Sequence, residues 1–285
     1  MDDSKFLIIG AYGQLGTALA ERFPQAQQVD RDSLDITDET SLANFDWSNI
    51  TTILNASAFT NVDGAETPEG RVAAWQVNAQ AVANLSRIAT EKSLTLVHLS
   101  TDYVFDGTET PHLETEPVSP ISVYGQSKAA GDLAVTATPK HYVVRTTWLI
   151  GEGKNFVRTM MSLAAKNISP TVVGDQVGRL TFTDTLVDAI EQLLKKTAPY
   201  GIYNVSNDGD IASWANVTRA IFAELGRDDL TVTDTTTAEY FASKPSSAPR
   251  PLQSALDLTK IQSTGLQLRD WRDELKQYIA KQPKE

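Results

Sequence analysis

The 285-residue sequence contains no cysteine, which rules out disulfides, thiolate metal centres and a cysteine nucleophile. Histidine is nearly as scarce: His98, His112 and His141 lie far apart and show none of the spacings that bind a metal, so no metal ligands are assigned. Basic residues are the minority, 25 against 36 acidic ones, and the net charge of -11 argues against non-specific nucleic-acid binding or adhesion to an anionic membrane. Any anionic ligand must be met by locally placed donors. No run approaches the roughly 20 apolar residues needed to cross a bilayer. The opening Met1-Asp2-Asp3-Ser4 lacks the charged and apolar regions of a signal peptide. A cytoplasmic protein is therefore expected. No low-complexity tract or fixed-period repeat breaks the chain.

Short apolar runs at Phe6 to Ile9, Ile50 to Leu54, Leu94 to Leu99 and Tyr142 to Val144 have the character of buried strands. Between them Gln14 to Phe23, Arg71 to Glu91 and Val123 to Val135 carry helical spacing. Strand alternating with helix predicts an α/β fold, a doubly wound parallel sheet of Rossmann type covered on both faces. After Trp148 the rhythm weakens into helical stretches at Phe156 to Lys166, Thr183 to Lys195 and Ser213 to Leu225. The expected organisation is a dinucleotide-binding domain over residues 1–150. A smaller mixed substrate-binding region is expected over 151–285, with some of its segments returning to the first domain. The Thr-, Ser- and Pro-rich stretch from Thr231 to Pro251 reads as extended chain before a last helix at Asp270 to Ala280.

Gly10-Ala11-Tyr12-Gly13-Gln14-Leu15-Gly16 follows the first strand and opens a helix, the context a dinucleotide-binding turn requires. Glycines let the backbone approach a pyrophosphate, and the helix start offers free N–H groups with a positive dipole end. Asp30 follows a second strand, Gln27 to Val29, where an acid can bind the adenosine ribose hydroxyls. Arg31 beside it suits a 2′-phosphate. The pair leaves NADH and NADPH open, with the balance to NADPH. Asp35 and Ile36 are placed near the adenine, although Asp35 also suits a helix cap. The Asp63 and Glu66 pair reads as helix-start carboxylates, not a cation site.

Tyr124 and Lys128 stand four residues apart, on one face of the helix they occupy. A cation beside a phenol lowers its pKa and makes proton exchange with a carbonyl oxygen practical, so Tyr124 is a candidate general acid. Upstream, a buried strand ends in Ser100-Thr101-Asp102-Tyr103. This places hydroxyls at the carboxyl end of a parallel sheet, where such folds bind ligands, and Thr101 suits a hydrogen bond to the substrate carbonyl.

Together, the glycine turn, Thr101, Tyr124 and Lys128 resemble the extended short-chain dehydrogenase/reductase superfamily. Within it, five blocks resemble the dTDP-4-dehydrorhamnose reductases: Asn55 to Glu66, Ser100 to Gly107, Pro120 to Gly125, Arg145 to Trp148, and Asn155-Phe156. The likeness runs from Phe6 to about Gln277. Related sugar-nucleotide dehydratases place a glutamate where Tyr103 stands, so this likeness implies reduction of a carbonyl and not elimination of water. Ser57, Phe59 and Leu180 depart from the family's usual residues without removing a catalytic group.

The resemblance implies hydride transfer from NAD(P)H to C4 of a dTDP-linked keto sugar, with Thr101, Tyr124 and Lys128 catalytic. It implies that Ala56, Ser57, Ala58 and Thr60 pass near the cofactor with Tyr12, Gln14 and Leu15, and that Asn78 supports the site. Asp102, Tyr103 and Trp148 would border the hexose, and Asn155, Gln176 and Arg250 would lie further around the cleft. Some members of the family bind Mg2+, which the resemblance alone would bring here. A monomer or homodimer is compatible with the sequence. Two rivals remain: an NADP-binding regulatory subunit similar to the β subunit of methionine adenosyltransferase, and a nucleotide-sugar epimerase or dehydratase.

Overall fold

The structure is a computed structural model that describes residues 1–244 and 246–282. The chain opens β1 (Phe6–Ile9), α1 (Gln14–Arg22), β2 (Gln27–Val29), α2 (Glu39–Asn44) and β3 (Thr52–Asn55). Next come α3 (Pro68–Trp75), a π-helical turn at Gln76–Gln80, α4 (Ala81–Glu91), β4 (Thr95–Thr101), α5 (Val123–Thr136) and β5 (His141–Thr146). β1 and β3 are buried throughout and β4 and β5 nearly so, as a parallel sheet covered on both faces requires, while β2 at the edge exposes Gln27 and Gln28.

Side chains alternate between the faces with the two-residue period of a strand. Leu7, Ile9, Ile53, Leu96 and Val143 pack with α2 and α4 on one side. Phe6, Ile8, Leu54, Val97 and Val144 pack with α1 on the other. The sequence pattern predicts one helix over Arg71 to Glu91. Here the π-helical turn divides that stretch, and it carries the buried Asn78. Such turns add a residue to the helical repeat and frequently mark functional sites.

Beyond β5 the chain forms β6 (Leu149–Ile150), α6 (Phe156–Ala165), β7 (Thr171–Val173), β8 (Val177–Gly178), β9 (Thr181–Phe182), α7 (Thr183–Lys195), β10 (Gly201–Asn204) and β11 (Ala212–Ser213). It ends with α8 (Trp214–Glu224), β12 (Thr233–Thr235), α9 (Thr237–Phe241), α10 (Thr259–Gln262) and α11 (Trp271–Lys281). Three short strand pairs, β6 with β9, β7 with β12 and β8 with β11, support a separate cluster built on α6, α8 and α11.

β10 belongs elsewhere: it joins the main sheet beside β5, giving six parallel strands in the order β10-β5-β4-β3-β1-β2. The sequence pattern does not mark this strand, since Gly201-Ile202-Tyr203-Asn204 is short and flanked by a turn. α7 returns with it and packs Leu186, Ile190 and Leu193 on the face of the sheet that α1 covers. The chain leaves β1 for β2 on one side and crosses to β3 on the other. That reversal opens a crevice at the carboxyl ends of the strands, the usual ligand site of an open α/β sheet.

Candidate active site

A cleft of about 970 Å³ lies at that crevice, within the range of small-molecule and cofactor sites. Its floor is the turn from β1 into α1. Gly10 has φ +78°, and a Cβ there would stand 2.9 Å from the Ser57 backbone, so only glycine lets the turn pass the end of β3. α1 begins at Gly13 with no side-chain cap, which leaves its first N–H groups available to an anion. Tyr12, Gly13, Gln14 and Leu15 line the cleft with Gly10. Gly16 packs beneath the turn against Gly10 and Ala11 instead. This bare, donor-rich cradle fits the pyrophosphate of a dinucleotide, with Gly10 to Leu15 as the residues that would hold it.

Asp30, Arg31, Asp35 and Ile36 form the far end of the same cleft. The Asp30 carboxylate is occupied by its own turn, where Oδ1 accepts from Asp32 N, Ser33 N and Ser33 Oγ. Those bonds, that of the Ser33 side chain above all, hold its pKa below the ordinary value. Arg31 is 84% exposed and meets Asp35 through Nε at 3.3 Å. Asp35 is less a ligand than a brace: Oδ1 takes bonds from both the N–H and the hydroxyl of Thr37. Ala56, Ser57, Ala58 and Thr60 line the near wall.

The reactive end gathers on β4 and α5. Ser122 caps α5 by accepting from Gly125 N, and Glu66 Oε1 accepts from Val123 N at 2.9 Å. A Cβ on Gly125 would meet the Tyr103 carbonyl oxygen at 2.2 Å, so glycine lets α5 close onto the turn after β4. Tyr124 is thereby set edge-on to Tyr103, with ring centroids 5.5 Å apart. Thr101, Asp102, Tyr103, Tyr124, Lys128 and Trp148 all face the cleft. Thr101 Oγ1 donates to Asp102 Oδ1 at 3.1 Å and accepts from Tyr103 N.

The electrostatics correct one expectation. Lys128 Nζ does not lower the Tyr124 pKa here; it donates to Leu99 O at 2.6 Å and meets His98 Nε2 at 3.2 Å. Burial raises the Tyr124 pKa, the Asp102 charge adds to this, and the Thr101 hydroxyl works against it. Burial also raises Tyr103 and pushes Asp102 up to about 6, and it pulls Lys128 down to about 8. Tyr124 therefore keeps its proton across the working range, as a donor must.

Trp148 takes a left-handed backbone, φ +45°, and stacks on Trp214 at 3.7 Å. A bulky residue in this region is strained and persists only where its surroundings hold it, as at ligand clamps. Asn78 does not line the cleft but supports it. Its Oδ1 accepts from Phe59 N, while its Nδ2 donates to Phe59 O and Ser127 Oγ.

Three residues expected around the sugar lie off the cleft lining. Asn155 caps α6 through Arg158 N and donates to Gly151 O and the Tyr278 hydroxyl, so its amide is spent on the fold. Gln176 is buried and bonded to Thr237 Oγ1. Arg250 is drawn to Asp63, with Nη2 2.9 Å from Oδ1, and lies over the Phe241 ring. Asp63 thus braces the segment before β-bridged Gln253, and only Glu66 of the acidic pair serves a helix start. Sequence reasoning missed Ser100, Thr146, Thr147 and Trp214 as wall residues. The first three flank marked positions on strand ends, whereas nothing local identified Trp214.

Among the described residues no cluster of three or more His, Asp or Glu side chains forms a metal site, and no helix is long and apolar enough to cross a membrane.

A parallel sheet with a glycine cradle at its crossover, and a Thr, Tyr and Lys set beside it, defines a nicotinamide-dependent reductase of Rossmann type. The match to known proteins narrows the class. Residues 4–283 match the family described as the RmlD substrate binding domain. A dTDP-4-dehydrorhamnose reductase of Aggregatibacter actinomycetemcomitans is 37% identical, covering 97% of this chain and 99% of its own. A probable dTDP-4,6-dihydroxy-2-methyloxan-3-one 4-ketoreductase of Streptomyces antibioticus is 38% identical over 96% of this chain and 94% of its own. The crystal structure of the dTDP-4-dehydrorhamnose reductase of Bacillus anthracis in complex with NADP superposes with a TM-score of 0.89 at 32% identity, covering 97% of this chain and 99% of that one. The chain belongs to the dTDP-4-dehydrorhamnose reductase (RmlD) family.

Proposed function

We propose that this protein reduces the C4 carbonyl of dTDP-4-dehydro-L-rhamnose to give dTDP-L-rhamnose, with NADPH as reductant. The observation that carries the reading is the convergence of Thr101, Tyr124 and Lys128 on one cleft beside the glycine cradle. When bound, the dihydronicotinamide supplies the hydride for C4. Thr101 and Tyr124 hold the carbonyl oxygen, and the Tyr124 hydroxyl gives it a proton, so the carbonyl becomes an alcohol. Lys128 hydrogen-bonds the nicotinamide ribose and compensates the phenolate that remains on Tyr124.

Asp102, Tyr103 and Trp148 border the hexose, where the Trp148–Trp214 stack offers an apolar wall. The preference for NADPH is supported at the other end of the cleft. Asp30 is engaged by Ser33 and Asp32, and the exposed Arg31 guanidinium stands ready for a 2′-phosphate. Tyr103, in the place of the glutamate of related dehydratases, favours plain reduction.

The test is NADPH oxidation by the purified protein with dTDP-4-dehydro-L-rhamnose, with the product identified. One NADPH consumed per dTDP-L-rhamnose formed is expected. Binding of NADPH without oxidation would point to a regulatory subunit, and turnover with no net NADPH loss to an epimerase or dehydratase.

A further inference from the structure

His98 lies in the middle of β4 with no exposed surface, and the register of the sheet sets it directly beside Asn55 of β3. The two side chains, with Lys128 from α5, form a buried chain of hydrogen bonds behind the reactive end of the cleft. Ser57 N donates to Asn55 Oδ1 at 3.2 Å, and Ser57 Oγ does so at 2.6 Å. Asn55 Nδ2 lies 3.0 Å from His98 Nδ1, and His98 Nε2 lies 3.2 Å from Lys128 Nζ. Lys128 Nζ then reaches Leu99 O at 2.6 Å.

The direction of this chain follows from its ends. A backbone N–H can only donate, so the Ser57 amide fixes the carbonyl oxygen of Asn55 toward itself and the Asn55 amide nitrogen toward His98. Nδ1 of His98 must then accept. A neutral imidazole carries one proton, which falls on Nε2 and points at Lys128. Burial, the largest cause, drives the His98 pKa well below its usual value, so the ring is neutral.

An ammonium has three donors and no acceptor, and facing the Nε2–H it would leave two donors opposed in a buried site. An amine has a lone pair for Nε2–H and an N–H for Leu99 O. Each link from Ser57 to Leu99 then runs from a donor to an acceptor.

We propose that His98 is a positioning residue, held as its Nε2–H tautomer by Asn55, that favours the neutral amine of Lys128 over the ammonium in the ligand-free protein. The other charged groups around Lys128 do not reverse this. Asp132, one turn further along α5, favours the ammonium, but its Oδ2 is bound to Arg145 Nε of β5 at 3.0 Å. Tyr124, one turn back, is protonated, and Asp102 beyond β4 acts on Tyr124. Burial pulls Lys128 in the same direction as His98, to about 8.

The functional consequence rests on the reductase reading above. A lysine whose affinity for protons is close to the working pH can take one up as negative charge arrives in the cleft and pass it on to the Tyr124 phenolate. Moving that proton requires His98 to shift its own to Nδ1 and the Asn55 amide to turn against Ser57 N. Charge on Lys128 is thus linked to the β3 end that lines the cofactor cleft.

The test uses ligand-free protein labelled with 13C and 15N at histidine and lysine. The chain has three histidines, and the spectrum of a His98→Gln variant assigns the His98 signals. Expected is Lys128 titrating near 8, with His98 as its Nε2–H tautomer above that midpoint and its proton shifting to Nδ1 as Lys128 gains charge below it. An Nδ1–H tautomer above the Lys128 midpoint, an imidazolium, or a Lys128 midpoint near the ordinary value for lysine would overturn the proposal.

Asn55→Asp supplies a second arm, because a carboxylate can only accept and must draw the proton to Nδ1. Nε2 then becomes an acceptor for an ammonium, and the Lys128 midpoint should rise by one pH unit or more, together with the falling limb of kcat/KM. A flipped tautomer with an unmoved midpoint contradicts the inference. The wild-type spectrum decides the question even if that variant does not fold. If tautomer and midpoint behave as stated but the kinetic limb does not follow, the catalytic role given to Lys128 fails and the His98 inference stands.

Discussion

Glu66 Oε1 accepts the backbone N–H of Val123 at 2.9 Å, joining two residues 57 positions apart at the first turn of the helix that carries Tyr124. A helix start lacks internal partners for its first N–H groups, and a carboxylate placed there answers both the vacant donor and the dipole. The contact therefore fixes where α5 begins, and with it the position of the Tyr124 hydroxyl. Glu66→Ala should destabilise the protein by about 1–2 kcal/mol and lower kcat roughly tenfold, about what a misplaced hydroxyl costs. Glu66→Gln keeps an acceptor and should restore most of both. Denaturant unfolding with steady-state kinetics on the two variants checks this, and equal losses in both would refute it.

Tyr124 stays protonated because burial, reinforced by Asp102, raises its pKa. Tyr124→Phe keeps the ring contact with Tyr103 but removes the proton donor. The expected loss in kcat is roughly 10²- to 10⁴-fold, with the Kd for NADPH changed little. A variant with full turnover would remove Tyr124 from the mechanism.

The cofactor end yields a charge test. Because Asp30 Oδ1 is committed to Ser33 and Asp32, discrimination should reside in Arg31. Arg31→Ala is expected to weaken NADPH binding roughly 10- to 100-fold and leave NADH nearly unaffected. Fluorescence titration with each cofactor gives the ratio, and equal weakening of the two would contradict the assignment.

Asp102 gives a pH dependence of stability. Burial raises its folded-state pKa to about 6 from an ordinary 3.8. Between those values the native state binds more protons than the unfolded chain, so stability falls as pH rises from about 4 to about 6, and the full penalty applies above. Two pH units correspond to about 3 kcal/mol. Asp102→Asn should therefore unfold at higher urea than the parent at pH 8 and at nearly the same urea at pH 4. A gap of the same size at both pH values would point to a cause other than ionisation.

Much of this was legible in the chain itself. Fully buried strands write continuous apolar runs, so Phe6 to Ile9 and its partners marked a parallel sheet, and the ends of those runs marked Gly10 and Thr101. Tyr124 and Lys128 were legible because a helix places residues four apart on one face. The length and bounds of the helix around Asn78 were not, since its π-helical turn depends on side-chain bonds to Phe59 and Ser127 made only in the folded state.

The sequence by itself determined the residue types: a glycine turn after a strand, a phenol and an amine one helical turn apart, hydroxyls at the end of β4. Local periodicity suffices for these because the interactions that enforce them span a few residues. Tertiary structure alone decided what those groups are. It paired Lys128 with His98 and Leu99 instead of Tyr124, raised the Tyr124 pKa by burial, brought Trp214 against Trp148, and used Asn155 and Arg250 as internal braces. Proton affinity and hydrogen-bond allegiance depend on which groups lie within a few ångströms once water is excluded, and that neighbourhood is assembled from residues far apart in the chain.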